Sequence, residues 1–147
     1  MDLIDLLQNK KVSVRKIPEW GKYLRNQWEY HFANHLSHEE KKAIYLHDVD
    51  GGACGYLWHL FSYKKRDCLT EDEAETAFHN VPKNSCYVFY QHLDYALILE
   101  NASMINAEDF ANETDIYVVD KEFTWTYVVT HETGWCGPYF SRKDCRN

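Results

Sequence analysis

Apolar residues follow a helical spacing in the first third of the chain. Between residues 18 and 36 a bulky apolar side chain recurs at every fourth position, in the series Trp20, Leu24, Trp28 and Phe32. This stripe, with a proline near its start, predicts an amphipathic helix. The motif Ser37-His-Glu-Glu40 is a capping box, in which serine and glutamate side chains satisfy free backbone N–H groups. A second helix is therefore expected from this motif to about residue 46.

Two further helices are predicted before residue 82. Residues 54–63 hold four bulky apolar side chains, which favours a short and mostly buried helix. Thr70-Glu-Asp-Glu73 is a second capping box, so another helix is expected to begin there. Pro82 should end this helix, because proline lacks the backbone N–H that a helix interior needs.

The apolar spacing changes to two after Pro82, which is typical of strands. Strands are predicted at residues 86–91, 95–100, 116–119, 123–130 and about 138–140, with one helical turn at 106–111. The strand at 123–130 alternates strictly, which indicates a half-buried antiparallel strand. Because helices precede strands, the sequence predicts an α+β fold. Helices within residues 18–80 should pack on one face of an antiparallel sheet built from residues 85–140, in a single domain spanning 1–147.

Composition narrows the class of protein. With 147 residues, 45% of them hydrophobic and 16% aromatic, the chain is not expected to be disordered. No apolar run approaches the roughly 18 residues of a membrane span, so no membrane partner is expected. Acidic residues stand at the start where a secretory signal would carry positive charge, so we expect a cytoplasmic protein. The odd number of five cysteines is expected to stay reduced there, with Cys86 buried on its strand.

Charge is distributed unevenly along the chain. The net charge is −7, and residues 1–66 carry eleven Lys and Arg against eight Asp and Glu. Residues 67–140 carry only two Lys and Arg against fourteen Asp and Glu. A negative field of this kind repels nucleic acid and attracts basic proteins. A basic protein is therefore the expected partner and nucleic acid is not, although solubility alone is the other explanation of this charge.

Two motifs resemble redox or metal sites but lack an essential part. Trp135-Cys-Gly-Pro138 matches the redox tetrapeptide of thioredoxins except that Tyr139 replaces the second cysteine. That chemistry needs two thiols, so the segment is interpreted as a structural turn. His31, His35 and His38 have a spacing similar to that of metal ligands, but a helix boundary falls between the last two. No metal or other cofactor is predicted, and no phosphate-binding glycine motif occurs.

Several strings of residues resemble one known family. They are Asp115-Ile-Tyr-Val-Val-Asp-Lys-Glu-Phe-Thr-Trp-Thr-Tyr-Val-Val-Thr-His-Glu132, Gly134-Trp-Cys-Gly-Pro-Tyr-Phe140, Trp58-His-Leu-Phe61 and Asn84-Ser-Cys-Tyr87. The chain resembles the domain of unknown function 4275 family of small Bacillus-type bacterial proteins over nearly its whole length. This resemblance implies no activity and no catalytic residues. The closing hairpin also resembles the closing hairpin of many bacterial toxin-immunity proteins, and a fold alone does not fix a function.

The segment at residues 130–139 holds the candidate partner-binding residues, which are His131, Glu132, Trp135 and Tyr139. An aromatic anchor surrounded by polar groups is the arrangement that interface cores favour. We therefore expect a small, non-enzymatic, acidic module that binds a basic protein as an immunity protein does. No catalytic residue is predicted.

Two alternatives stay open at this point. The chain could be a small metal- or thiol-dependent enzyme that uses His131, Glu132 and Cys136, since a Cys–His pair is a common nucleophilic arrangement. Trp135 could also be buried against Trp125 in the core, in which case it would not contact a partner. The sequence does not predict the oligomeric state.

Overall fold

One antiparallel sheet of seven strands forms the centre of the computed structural model, which describes residues 2–48, 55–132 and 134–143. Its order is β1-β4-β3-β5-β6-β7-β2, and each neighbouring pair is antiparallel. The strands are β1 (Ser13–Ile17), β2 (Leu69–Thr70), β3 (Cys86–Tyr90), β4 (Ala96–Glu100), β5 (Ile116–Asp120), β6 (Trp125–Val129) and β7 (Tyr139–Arg142). The helices are α1 (Leu3–Asn9), α2 (Gly21–Ala33), α3 (His38–Ala43), α4 (His59–Ser62) and α5 (Glu71–Asn80), with a 3-10 helix at Ala107–Phe110. The predicted α+β class is confirmed.

The local signals for two helices are confirmed in detail. α2 buries the predicted stripe, including Leu24, Trp28 and Phe32. At the start of α3, Ser37 Oγ accepts a hydrogen bond from the Glu40 N–H at 3.1 Å, and Ser37 N–H donates to Glu40 Oε1 at 2.8 Å. This is the reciprocal geometry of a capping box, so α3 begins where the sequence indicates.

Helices cover both faces of the sheet, which corrects the prediction that they pack on one face. Leu7 of α1 and Phe78 of α5 belong to a core with Val88, Val118 and Tyr127 on one side. Trp28, Phe32, Leu60, Tyr117 and Val128 belong to the core on the other side, under α2 and α4. The physical reason is visible in β6, where even Thr126 is fully buried. Its Oγ1 accepts a hydrogen bond from the Trp28 indole N–H at 2.9 Å, and this bond offsets the cost of burying the hydroxyl. A strand that alternates apolar and hydroxyl side chains is thus buried on both faces.

The sheet also includes two strands outside the predicted range of 85–140: β1, which precedes the part predicted to be helical, and β2, which lies within it. β1 pairs with β4 at one edge, and β2 pairs with β7 at the other. β2 has only two residues, and the exposed or half-buried residues of both strands give little periodic signal. The single domain predicted for residues 1–147 stays a prediction, because the described residues end at 143. Among the described residues, no helix is long and apolar enough to cross a membrane.

Candidate functional site

The candidate site lies at the end of the sheet where β6 ends and β5 begins. Asp115 precedes β5 and His131 follows β6, and the pairing of Ile116 with Val129 brings them side by side. The His131 N–H donates to Asp115 Oδ1 at 3.2 Å, and His131 Nδ1 lies 3.0 Å from the same oxygen. The indole N–H of Trp58 also donates to Asp115 Oδ1, at 2.9 Å. One carboxylate therefore ties the loop after β6 to the residue before α4.

The loop after β6 is a tight, hydrogen-bonded turn. The N–H groups of Trp135 and Cys136 both donate to the Glu132 carbonyl oxygen, at 2.8 and 2.6 Å. Thr130 Oγ1 accepts from the Glu132 N–H at 3.1 Å and donates to the Cys136 carbonyl oxygen. These bonds hold the described backbone on both sides of Trp135 in place.

Trp135 is the most exposed of the large hydrophobic side chains that the structure describes, with 87% of its surface accessible. Trp125, by contrast, is buried and stacks on Phe140 with 5.9 Å between ring centroids. Trp135 therefore does not fill the core. The two neighbouring candidates are partly exposed: 39% of the His131 side chain and 44% of the Glu132 side chain are accessible. His131 Nε2 lies 3.5 Å from Glu132 Oε2.

Tyr139 does not share this exposed surface, which corrects its place among residues expected to contact a partner. Only 5% of Tyr139 is accessible, because β7 turns its ring inward against Phe61, with ring centroids 5.3 Å apart. Tyr139 thus packs in the core beneath the turn.

A surface of exposed carboxylates adjoins the turn. The Glu71 N–H donates to the Pro138 carbonyl oxygen at 3.0 Å, and β2 pairs with β7, so the start of α5 lies beside the turn. Five exposed carboxylates, which we call the acidic segment, lie there: Asp67, Glu71, Asp72, Glu73 and Glu75. Within the described ranges none of them forms an ion pair.

The acids of residues 67–140 do not form one continuous surface. Asp109 pairs with Lys10 at 2.9 Å, and Glu100 pairs with Lys121 at 2.8 Å. Asp120 accepts hydrogen bonds from the residues that follow it, in the turn at the opposite end of β5 and β6. Among the acids that the structure describes in this range, only those of the acidic segment lie next to the candidate turn without forming an ion pair.

Sequence analysis missed a cluster of aromatic and histidine rings beside the turn. The ring of Tyr56 lies 5.1–5.4 Å from four other rings, those of Trp58, His59, His92 and His131. These residues come from the segment that leads into α4 together with the first residue of that helix, the loop between β3 and β4, and the loop after β6. No spacing in the sequence reveals such a cluster, because only the fold brings the three segments together.

Cys136 has the wrong electrostatic environment for a nucleophile. Burial raises the pKa of the Cys136 thiol, and a hydrogen bond to the Glu132 carboxylate raises it further, more than the Tyr139 hydroxyl lowers it. A reactive cysteine needs a lowered pKa, because the thiolate is the nucleophile. No hydrogen bond joins His131 to Cys136 among the residues that the structure describes. The geometry therefore gives the thiol-enzyme alternative no support.

The histidines that suggested metal ligands have other neighbours. The His31 ring stacks on Phe123 with centroids 4.8 Å apart, and His35 Nε2 lies 2.7 Å from the Lys65 carbonyl oxygen. In residues 2–48, 55–132 and 134–143, no group of three or more His, Cys, Asp or Glu side chains could hold a metal ion.

The described cysteines are free thiols. They are Cys68, Cys86 and Cys136, and Cys86 is buried on β3 as predicted. Burial raises the pKa of Cys68 to about 11 and that of Cys86 to about 12. Cys54 and Cys145, for which reduced thiols were also expected, lie outside the described residues.

The raised pKa of Cys136 leads to a test by alkylation. Glu132→Gln is expected to speed iodoacetamide labelling of Cys136 at pH 8 by about two- to fivefold, because removing the carboxylate lowers the thiol pKa and increases the thiolate fraction. Peptide mapping by mass spectrometry measures the rate at this cysteine alone. The matched variant Glu122→Gln, which changes an exposed acid of another turn, should leave the rate unchanged. An equal or slower rate in Glu132→Gln would show that this carboxylate does not control the thiol.

A cleft of about 380 Å³ lies beside the ring cluster, between α2 and the segment before α4. Its walls carry both charges, including Lys22, Arg25, Glu29 and Asp48. Two of its lining residues, Asp48 and Gly55, flank residues 49–54 in the chain, and these lie outside the described residues, so the lining does not define a class of ligand.

The fold and the turn define an α+β protein with an antiparallel sheet and an exposed loop at one sheet end. Residues 1–140 match a family described as "Domain of unknown function (DUF4275)", and the chain belongs to this family. The resemblance carried by the strings in the closing hairpin and near residues 58 and 84 is thus confirmed. No curated protein and no solved structure matches the chain. The family description names no activity, so function has to be argued from the site.

Proposed function

We propose that the chain is a non-enzymatic acidic module that binds a basic protein in the cytosol, as a bacterial immunity protein does. The observation that carries the proposal is the exposure of Trp135, 87% accessible on an ordered turn whose neighbour is the acidic segment. A backbone hydrogen bond from the Glu71 N–H to the Pro138 carbonyl oxygen joins the acidic segment to the turn that carries Trp135.

The turn suits an anchor because its backbone is already fixed before binding. The bonds that Thr130 and the Glu132 carbonyl make hold the turn, so little conformational entropy is lost when a partner covers the indole. Tryptophan is enriched among the residues that dominate binding energy, since it offers a large apolar area with few rotatable bonds. His131 and Glu132 supply polar groups beside it, as the rim of an interface requires.

The acidic segment suits a basic partner. Unpaired carboxylates attract a positively charged surface over several ångströms and raise the rate of productive encounter. The same field repels the phosphate backbone of nucleic acid, which supports a protein as the ligand. His131, Glu132 and Cys136 then shape the turn and need no catalytic role, in line with the raised pKa of the thiol.

Site-specific photo-crosslinking in the source cells tests the proposal. A photoreactive phenylalanine analogue placed at position 135 should capture a protein of pI above about 8, whereas the same analogue at position 30 should not, although Tyr30 of α2 is 62% exposed. Equal capture from both positions, or capture of acidic proteins only, would contradict the proposal.

The captured protein then allows a test of the charges. The triple variant Glu71→Gln, Asp72→Asn, Glu73→Gln should bind it about tenfold more slowly at low ionic strength, with a weaker dependence of the association rate on salt. Stopped-flow fluorescence measures both quantities. The matched triple Glu19→Gln, Glu39→Gln, Glu122→Gln removes the same charge from exposed positions elsewhere and should retain most of the rate. If both triples slow binding equally, the acidic segment is not the docking surface.

A further inference from the structure

We propose that β1, at the sheet edge away from the acidic segment, binds an acidic extended segment of a partner protein as an added strand. The proposal concerns a second surface and does not depend on the function proposed for the Trp135 turn.

The two edges of the sheet differ in how open they are to pairing. β1 pairs with β4 over all five of its residues, and no strand of the described ranges pairs with its outer side. The opposite edge strand, β2, has two residues and leads directly into α5. A regular five-residue edge presents a row of free backbone N–H and C=O groups, to which an extended peptide can bond.

A groove with both apolar and charged lining lies on the sheet face beside β1, and its charged residues are Arg15, Lys121 and Glu100. It has a volume of about 300 Å³, and its apolar lining is formed by Trp20, Tyr87 and Ile98. The register pairs Arg15 of β1 with Ile98 of β4, so the Arg15 side chain stands on the same face as the groove. Side chains of an added strand alternate between faces, so every second one would point toward this groove. One aromatic side chain fits the volume.

Cations lie on both faces of this edge. In the described chain, the exposed Arg15 guanidinium forms no ion pair, whereas the Glu100 carboxylate of the same groove is paired with Lys121 at 2.8 Å. On the opposite face, the Lys16 ammonium lies 4.3 Å from the centroid of the Tyr95 ring, and Lys11 is exposed just before the strand. Opposite charges on neighbouring strands stabilise their pairing, so acidic side chains fit an added strand on either face.

Charge also argues against a second copy of the chain as the occupant. Antiparallel pairing of two β1 strands about a two-fold axis at the strand centre would place Arg15 opposite Arg15 of the other copy. Like charges directly opposite each other destabilise a pair of strands. Charged edge residues also prevent aggregation, but that role requires no groove lined by aromatic side chains.

A synthetic peptide tests the proposal on the full chain. The probe is Ac-Glu-Val-Phe-Glu-Glu-Val-NH2, which places a phenylalanine and two carboxylates on one face and a third carboxylate on the other. Titration into ¹⁵N-labelled protein should shift the amide signals of residues 13–17. The peptide with glutamine in place of glutamate should bind at least about tenfold more weakly. The fully N-methylated peptide keeps every side chain but cannot donate backbone hydrogen bonds, and it should not bind.

Variants of the protein separate strand addition from general attraction between charges. Arg15→Glu should weaken peptide binding at least about tenfold, whereas Arg142→Glu, the same change at the exposed arginine of β7, should have little effect. The proposal is overturned if the N-methylated peptide binds as well as the parent, if the shifted signals lie outside residues 13–17, or if both variants behave alike. A dimer formed through β1 by the chain alone would also overturn it.

Discussion

Replacing Trp28 with alanine is expected to lower the free energy of unfolding by about 3–5 kcal/mol. The Trp28 side chain is fully buried, and its indole N–H donates to Thr126 Oγ1 at 2.9 Å. Its ring packs against three others, with centroids 5.2–5.8 Å away on Phe32, Phe61 and Tyr117. Alanine would leave a cavity between α2 and the sheet, and the loss of packing there explains the size of the effect.

Urea denaturation followed by circular dichroism measures this loss. Trp28→Phe removes the donor to Thr126 but keeps most of the ring volume. Because the packing is largely kept, it should lower the free energy of unfolding less than Trp28→Ala does. Trp135→Ala removes an equally large side chain from an exposed position and should change the free energy of unfolding by less than about 1 kcal/mol. If Trp28→Ala were as mild as Trp135→Ala, the packing of α2 on the sheet would be wrong.

Replacing Asp115 with alanine is expected to cost about 2–3 kcal/mol of the free energy of unfolding. The Asp115 carboxylate accepts from the Trp58 indole, which is only 2% exposed, and from the backbone N–H of His131. Without it, the buried Trp58 N–H has lost its acceptor. The loop after β6 would also lose the link that joins it to the residue before α4.

Two comparisons isolate this effect in the same denaturation experiment. Asp115→Asn keeps an oxygen that accepts from both N–H groups, so it should lose less than the alanine variant. Asp67→Ala removes an exposed carboxylate and should stay within about 0.5 kcal/mol of the parent. A loss in Asp115→Ala no larger than that in Asp67→Ala would contradict the role of Asp115 as a link.

The elements with strong local signals could be predicted from the sequence. α2 follows from its apolar stripe, α3 from the capping box at Ser37, and β3 to β7 from the change to alternating spacing. Each depends on interactions between residues close together in the chain, and such interactions leave a periodic or positional pattern.

Features that depend on distant residues could not be predicted in this way. The burial of Thr126 follows from Trp28, which lies 98 positions away, so β6 gives no sign that both of its faces are covered. The inward turn of Tyr139 depends on Phe61, and the ring cluster around Tyr56 joins three separate segments. For the candidate site, the turn could be predicted from the sequence, but the inward position of Tyr139 and the ring cluster beside the turn could not.

The affinity of the captured basic protein for Trp135→Ala tests the central proposal most directly. The dissociation constant, measured by isothermal titration calorimetry, is expected to rise at least about tenfold, while the free energy of unfolding stays within about 1 kcal/mol of the parent. Tyr30→Ala, which removes an exposed ring from α2, should leave the dissociation constant unchanged. An unchanged dissociation constant in Trp135→Ala, or a weakening matched by Tyr30→Ala, would contradict the proposal that this turn is the binding site.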